Sequence, residues 1–454
     1  MRAEALVGAN LLMLLAGLGV LPLLRVAHSW RELAYRSGLA YLCGILLAGI
    51  LSAHLALVHV SFGWAGLATL AVVSLAACFW RLRGSERPGW ARPGWIHVAG
   101  LVAVAAVIVD YARAFRVAPL NRYDAWAIWA LKGHALYAFG WADPTVFAGS
   151  EYRFANLDYP LLLPSLEGID FRAMGAFDTR LLHLQFLLLL VAALAALGTI
   201  LAGRVHPLLL WGTLGALALA PAVFDQLLTA YADLPLALVF AVGVAAAGRW
   251  LVTDERWALA VATLCFAAAL LMKNEGTLFV AAAFAGLFAA AWRRWRLLTI
   301  AVAVDVLLLL PWKLYVRIHD LQDINYRLGD SFHPHHLGVG PIAFRTLGRE
   351  LADPKQWGLL APTFLVLVVV AAVRGSRALA LFAGVTTLLA WLGLSWIYVI
   401  SHFEYSAYLD STKSRVVASI ALAAAALIPL LAASLDQREL LVAGQAGDAD
   451  TDEA

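Results

Sequence analysis

Residues 180–202, RLLHLQFLLLLVAALAALGTILA, decide the fold of this chain. After Arg180 the segment contains no Asp, Glu, Lys or Arg. A hydrocarbon core of about 30 Å takes roughly 20 apolar residues in helical form, so the segment predicts a membrane-spanning helix. The same scale, applied outward in both directions, predicts about thirteen spans, near 4–24, 38–59, 62–80, 97–117, 180–202, 207–224, 231–250, 256–271, 276–292, 297–316, 357–373, 378–400 and 415–434.

The composition agrees with a membrane setting. Of the 454 residues, 63% are hydrophobic and 14% are charged, and the mean hydropathy is +0.80, far from the averages of soluble proteins. We therefore predict an all-α, polytopic bundle of transmembrane helices whose partner is the lipid bilayer. A net charge of +3 gives no reason to expect nucleic acid as a partner. Cys43, Cys78 and Cys265 lie inside predicted spans without metal-ligand spacing, and no cofactor is expected.

Arginines in the short connections predict the orientation, because cytoplasmic loops accumulate Lys and Arg. With thirteen spans, the arginine-bearing loops all fall on one side, which predicts an external N-terminus and a cytoplasmic C-terminus. We expect the acidic tail, residues 435–454, to be cytoplasmic and disordered. The arginines in question are Arg25, Arg31, Arg36, Arg81, Arg83, Arg87, Arg92, Arg204, Arg249, Arg256, Arg293, Arg294, Arg296, Arg374 and Arg377.

The opposite side receives the remaining polar segments, which hold the side chains capable of chemistry. Outside a bacterial-type inner membrane there is no pool of nucleotide sugar or ATP, so an activated substrate has to arrive through the lipid. This distribution predicts chemistry on a lipid-linked substrate at the external surface. The external segments lie near 118–179, 225–230, 272–275, 317–356 and 401–414.

Three polar motifs stand in these external segments. They are Arg122-Tyr123-Asp124-Ala125-Trp126-Ala127-Ile128-Trp129, Tyr231-Ala232-Asp233-Leu234-Pro235-Leu236-Ala237 and Lys273-Asn274-Glu275-Gly276. Together they resemble the polyprenyl-phosphate-dependent C-type (GT-C) integral membrane glycosyltransferases. That superfamily includes the protein O-mannosyltransferases, the aminoarabinose transferases of lipid A and the bacterial lipopolysaccharide-core glycosyltransferases.

The resemblance covers residues 118–434 and implies a helical bundle whose catalytic acid lies on the first large external loop, the position of Asp124. The segment from Tyr408 to Arg415 is similar to the Thr-Ser-x-x-Arg segment that precedes a late span in such enzymes. A catalytic domain would then occupy residues 97–434, and residues 1–96 would form an added N-terminal module. Many members have a second acid beside the first, whereas this chain has Asp124 alone, and we expect no metal in the reaction.

In this interpretation Asp124 is the general base, because inverting glycosyl transfer needs a group to take the acceptor hydroxyl proton. The structural alternative is that Asp124 caps the helix that starts at Ala125. Lys273 and Arg415 would hold the donor phosphate, with snorkelling to the interface as their alternative. The further substrate-binding candidates are Tyr123, Trp126, Asp158, Tyr159, Asp233, Asn274 and Glu275.

The external segments also predict local structure. Residues 125–141, interrupted by Lys132 and His134, predict an interfacial helix, and the proline-bounded run 158–164 predicts a re-entrant segment. The loop 317–356 is long enough to form a lid over substrate. Its histidines, His333, His335 and His336, lack a further ligand at a set spacing and are predicted to be solvated.

We thus predict an enzyme that transfers a sugar from a polyprenyl-phosphate donor to a glycan, lipid or protein acceptor on the extracytoplasmic face, with a hydrophobic groove open to the bilayer. A second class of function stays open because Asp305 lies near the middle of a predicted span, where an ionised group is costly. A transporter or flippase of a lipid-linked substrate would depend on that residue. A non-enzymatic scaffold is the third class, and it would leave Asp124, Lys273 and Arg415 scattered.

Overall fold

The computed structural model of the protein describes residues 2–87, 93–115, 118–321, 324–326 and 328–449, with the backbone alone for residue 328 and residues 436–449. Throughout these ranges the ordered elements are helices, without a strand, as the sequence predicted. Most of the predicted acidic tail lies outside the described side chains, which end at Leu435. The α-helices are α1 (Arg2–Val20), α2 (Trp30–Arg36), α3 (Ala40–Leu57), α4 (Trp64–Leu82), α5 (Trp95–Phe115), α6 (Leu131–Phe139), α7 (Pro144–Phe147), α8 (Leu162–Met174), α9 (Thr179–Leu201), α10 (Pro207–Leu219), α11 (Pro221–Thr229), α12 (Asp233–Thr253), α13 (Arg256–Met272), α14 (Glu275–Ala291), α15 (Trp295–Ile318), α16 (Gly340–Leu351), α17 (Pro354–Trp357), α18 (Leu360–Arg374), α19 (Arg377–Ile400), α20 (Tyr405–Val416) and α21 (Ala418–Ala449).

Several of these helices are suited to a membrane. In the described ranges, nine helical stretches are long and apolar enough to cross a bilayer, and two bent pairs raise the number to eleven. The first pair joins α10 to α11 at an angle of 47°, and the second joins the segment Leu337–Trp357 to α18 at 110°. Each predicted span overlaps a helix, while thirteen crossings stay a prediction.

The stretch Glu275–Ile318 is one of the nine, but it folds back on itself. The side chain of Asn274 donates a hydrogen bond to the Asp158 carboxylate at 2.5 Å, and Trp312 donates its indole N–H to the Asp158 carbonyl oxygen at 3.2 Å. A straight helix would separate residues 274 and 312 by about 57 Å at 1.5 Å per residue. Because both side chains reach one residue, α14 and α15 form a hairpin.

Helix α12 is the centre of the bundle. In its most apolar window 83% of the residues are buried, whereas the corresponding figure for α5 is 6%. Helix α12 packs against α9, α13 and α21, and α5 lies at the periphery against α9 and α10. A helix that is apolar all round and enclosed by protein belongs to the core, and one that is apolar but exposed faces lipid.

The N-terminal helices pack closely on one another and on the rest of the bundle. A Cβ atom on Gly17 would overlap the Ala40 carbonyl oxygen, and one on Gly44 would overlap that of Met13, so α1 and α3 touch backbone to backbone. Small residues permit such approach between membrane helices. A buried hydrogen bond of 2.9 Å from Asn10 to Gln185 joins α1 to α9.

Candidate functional site

A cavity of about 520 Å³ opens where α12 begins, α13 gives way to α14 and α20 ends. Asp124, Lys273 and Arg415 all line it, although they are far apart in the sequence. Among the predicted substrate-binding residues, Tyr123, Tyr159, Asp233 and Glu275 line it too. The remaining lining residues are Ile128, Trp129, Phe154, Asn156, Ile324, Asn325, Phe403, Glu404, Ala407, Tyr408, Ser411, Thr412 and Val416.

Asp124 is the first residue of a π-helix, Asp124–Ala130, which α6 continues. The N-cap position belongs to Tyr123, whose side chain makes no capping hydrogen bond. The Asp124 carboxylate instead accepts a hydrogen bond from Arg415, with Oδ2 and Nη1 separated by 2.5 Å. The capping alternative is therefore wrong, and the carboxylate points into the cavity. Single π-turns within helices are frequent at functional sites.

Arg415 lies in the last turn of α20, a helix that begins at a well-formed cap. The Glu404 carboxylate accepts hydrogen bonds from the backbone N–H groups of Ser406 and Ala407. At the other end, the Arg415 guanidinium contacts Asp124, lies 3.8 Å from Asp233 and stands 4.7 Å from the centre of the Tyr231 ring. The Arg415 side chain is therefore directed at the cavity, between two carboxylates and an aromatic ring.

Lys273 occupies the break between α13 and α14. Lys273 has extended backbone, with φ −157° and ψ 154°, and its ammonium lies 2.8 Å from Asp233 and 3.2 Å from Glu275. This is the helix break that a contact between residues two positions apart requires. Burial by itself lowers the pKa of Lys273, but the two carboxylates outweigh it, so the pKa lies above its ordinary value.

Gly276 explains the last position of the Lys273-Asn274-Glu275-Gly276 motif. A Cβ atom at residue 276 would overlap the carbonyl oxygen of Ala269 on α13. The absence of a side chain therefore lets the first turn of α14 sit directly on the last turns of α13. That close packing holds Lys273 and Glu275 at the cavity wall.

The five charged groups form one alternating series, Asp124, Arg415, Asp233, Lys273 and Glu275. Three carboxylates and two cations leave the series with one net negative charge. Each cation lies between two acids, an arrangement that offsets the cost of removing charges from water. The residues come from four separate segments, so the series depends on the packing of the bundle.

An ammonium group that was not predicted from the sequence lies against two aromatic residues of the cavity lining. Trp129 stacks on Tyr159 with ring centres 5.5 Å apart, and the buried Lys132 lies 5.0 Å from the first ring and 5.6 Å from the second. Its Nζ donates to the Asn156 carbonyl oxygen at 3.0 Å. Burial lowers the pKa of Lys132 to about 7. In the sequence Lys132 gave no signal beyond interrupting an amphipathic pattern.

Three predicted substrate-binding residues lie away from the lining described above. Trp126 is 50% exposed and packs edge-on against Tyr123 at 5.4 Å. Asp158 and Asn274 pair with each other behind the wall, where they tie the segment before α8 to the hairpin of α14 and α15. Asn325, which is not among the residues predicted from the sequence, lines the cavity and donates a hydrogen bond to the Tyr159 hydroxyl at 3.0 Å.

The predicted loop segments are largely helical where they are described. The predicted interfacial helix 125–141 corresponds to the π-helix and α6, and the re-entrant run 158–164 leads into α8, whose first ten residues are all buried. Residues 322–323 and 327 of the predicted lid lie outside the described ranges, and its later part contains α16 and α17. Asp305 is 1% exposed on α15 and faces the bundle interior. Within the described part of the chain, its carboxylate oxygens have no hydrogen-bond partner.

Arginines meet at the other end of α12. The Arg249 guanidinium lies 2.6 Å from Glu255, which also contacts Arg204 at 3.6 Å. Arg249 lies 16 positions after Asp233 on α12, so the arginine group and the cavity are about 24 Å apart. The whole helix, with 21 residues from Asp233 to Thr253, is about 30 Å long, similar to the thickness of a bilayer hydrocarbon core.

No family model, curated protein or solved structure matches this chain.

Proposed function

We propose that this protein is an integral membrane glycosyltransferase of the GT-C type that moves a sugar from a polyprenyl-phosphate carrier to an acceptor hydroxyl. The observation that carries the proposal is the common cavity of Asp124, Lys273 and Arg415. Asp124 and Arg415 are 291 positions apart, yet they are in contact. Partly and fully buried charges are costly, and clusters of them concentrate at functional sites.

Asp124 is the general base in this proposal. Its Oδ2 is held by Arg415, which orients the carboxylate, and a carboxylate has a second oxygen that can accept the acceptor hydroxyl. As the hydroxyl oxygen forms its bond to the anomeric carbon, its proton passes to Asp124. The bond between that carbon and the phosphate oxygen breaks on the opposite face, and its electron pair leaves with the polyprenyl phosphate. The product has inverted configuration.

Arg415 is the principal ligand of the donor phosphate, and Lys273 is the second. A guanidinium has five N–H donors, and contact with Asp124 and Asp233 leaves others to face a phosphate. The Lys273 ammonium is bound to two carboxylates, so it reaches phosphate only by exchanging one of them. We therefore expect Arg415→Ala to weaken donor binding more than Lys273→Ala.

The membrane placement in the proposal has thirteen crossings, with the cavity on the extracytoplasmic side of a bacterial inner membrane. The arginine group at the far end of α12 supports this orientation, because arginines favour the cytoplasmic face. A mostly apolar groove of about 490 Å³ between α10, α17, α18 and α21 offers a place for an isoprenoid chain. Helix α11 begins at this groove with Pro221 and ends next to Tyr231, whose ring contacts Arg415.

A transporter or flippase of a lipid-linked substrate is the second candidate. The observation in its favour is the enclosed Asp305 carboxylate on α15. Asp305 is not one of the residues that line the cavity, so transport would use a different region from the charged series. Substitution of Asp305 therefore separates the two proposals.

The test is transfer of radiolabelled sugar from a panel of polyprenyl-phosphate sugars to a cell-envelope extract by the purified protein. We expect transfer by the wild type, loss of at least about 100-fold with Asp124→Asn, and full activity with Asp410→Asn, which changes an exposed acid on α20. Asp305→Asn should also retain transfer. An active and folded Asp124→Asn variant would refute the assignment of the base. If no donor supports transfer, and movement of the lipid-linked substrate across the membrane depends on Asp305, the transporter proposal would replace the enzyme proposal.

A further inference from the structure

Asp330, His335 and His402 bring three metal-ligand atoms together outside the cavity. One carboxylate oxygen and two imidazole nitrogens all lie within 4.8 Å of one another. Asp330 Oδ2 and His402 Nε2 are 3.0 Å apart, and the ring centres of His335 and His402 are 4.8 Å apart. In the sequence His335 stands beside His333 and His336, whereas in the structure it lies beside His402, which follows α19.

The backbone around these side chains is held by hydrogen bonds between the two segments. His336 donates its N–H to the Val399 carbonyl oxygen at 3.0 Å, and His402 donates its N–H to the Asn325 carbonyl oxygen at 2.9 Å. The imidazole Nε2 of His336 lies 3.2 Å from the Phe403 carbonyl oxygen. The three ligand side chains therefore stand on a backbone that is already arranged, which a metal site requires.

We propose that Asp330, His335 and His402 bind a divalent transition-metal ion of the zinc class. Imidazole nitrogen and carboxylate oxygen are zinc ligands at about 2.0–2.2 Å, and a tetrahedral ion places its ligand atoms about 3.4 Å apart. The distance between Asp330 and His402 is close to this value. The His335 nitrogen lies within 4.8 Å of the other two ligand atoms, so binding requires this exposed side chain to rotate and bring it closer by up to about 1.4 Å.

The chemistry of the ligand set selects the metal. Two imidazoles suit zinc and neighbouring first-row ions, whereas calcium and magnesium take oxygen ligands. Three protein ligands leave a fourth position for water. All three side chains reach solvent in part, so an ion has access from outside.

The metal would tie two segments at the rim of the cavity. Asn325, which accepts the hydrogen bond from His402, lines the cavity, and so does Phe403, the residue after His402. The site would hold the segment of residues 330–339 against the segment that leads into α20. Metal binding does not depend on the proposed glycosyl transfer, so the two proposals fail or succeed separately.

The experiment is a titration of the purified full-length protein, first stripped of metal by a chelator, with Co²⁺ as a spectroscopic substitute for zinc. We expect one equivalent to bind with the visible absorption of a tetrahedral site, and Zn²⁺ to displace it. His335→Ala and His402→Ala should weaken binding by at least about 10-fold. His333→Ala, which removes a histidine from the same loop but not from the cluster, should bind as the wild type does.

A second measurement distinguishes a loss of metal binding from a loss of folding. Zn²⁺ should raise the Tm of the wild type and of His333→Ala but not of His335→Ala, while the three metal-free proteins melt alike. Absence of Co²⁺ binding by the wild type, or equal effects of His333→Ala and His402→Ala, would overturn the proposal. Asp330 and His402 would then form only a hydrogen-bonded pair.

Discussion

The pair of Lys273 and Asp233 provides the sharpest test of the charged series. Lys273→Met removes the cation that lies 2.8 Å from Asp233 and 3.2 Å from Glu275. The three side chains are only 6–7% exposed, although they line the cavity, so water replaces the lost contact only in part. The substitution leaves two carboxylates in a poorly solvated wall.

The loss of stability depends on the charges that still compensate Asp233 and Glu275 after the substitution. Removing one partner of a buried ion pair costs about 3–5 kcal/mol. Arg415, at 3.8 Å, still compensates Asp233 in part, so we expect the lower end, about 3 kcal/mol for Lys273→Met. Asp233→Asn leaves Lys273 bound to Glu275, so this substitution should reduce the free energy of unfolding by about 2 kcal/mol. The double variant should cost less than the sum, with a coupling of about 2 kcal/mol.

The assay is unfolding in mixed micelles by titration with a denaturing detergent, followed by tryptophan fluorescence. The matched control is the pair of Lys413 and Asp410, which has the same 2.7–2.8 Å separation but lies at the surface. Exposed pairs couple by about 0.2–1 kcal/mol. A coupling at Lys273 and Asp233 no larger than at the control pair would refute the argument that burial makes this contact important.

Substitutions at Gly276, Lys273 and Lys132 test three single positions near the cavity. Gly276→Ala should cost about 1–3 kcal/mol and reduce transfer, because its Cβ overlaps the Ala269 carbonyl oxygen. Gly215→Ala lies inside α10 and meets nothing within 4 Å, so it should cost nothing and stabilise the helix by up to about 1 kcal/mol; a harmless Gly276→Ala would contradict the packing argument. The pKa of Lys273 in the folded protein is raised above its ordinary value of 10.5. The stability that charged Lys273 contributes is therefore complete below pH 10.5 and is lost as the pH rises through the pKa of the folded state. The difference in melting temperature between wild type and Lys273→Met should narrow only in strong alkali. Lys132→Met should raise stability at pH 7 by up to about 4 kcal/mol, because folding lowers the pKa of this buried group from 10.5 to about 7. The stability lost to burial of this lysine returns as pH rises from 7 towards 10, so an advantage of Lys132→Met that persists undiminished at pH 10 would contradict this cause.

Fold class and the location of the helices were largely predictable. Apolar runs of bilayer length appear directly in the sequence, and each predicted span overlaps a helix of the structure. The break between α13 and α14 was also predictable, because the polar segment 272–275 interrupts two apolar runs of the sequence. Hydropathy did not distinguish the buried α12 from the peripheral α5, since both are apolar and their neighbours decide the difference.

The residues of the site were partly predictable. Asp124, Lys273 and Arg415 were chosen from their residue types and from their places beside predicted spans, and they line one cavity. Trp126 was chosen in the same way but is half exposed, because the phase of a π-helix is not visible in the sequence. Lys132 escaped notice, since a lysine in an amphipathic pattern normally faces solvent.

The sequence by itself determined the membrane-like helical architecture and the residue types available for chemistry, because hydropathy and helix length are local properties. Tertiary structure alone decided which charges meet. The contact of Asp124 with Arg415 spans 291 positions. The grouping of His335 with His402 joins the segment before α16 to the segment after α19. Such contacts depend on how helices pack, turn and bend, and the free energy of that packing is distributed over the whole bundle, not over any one segment.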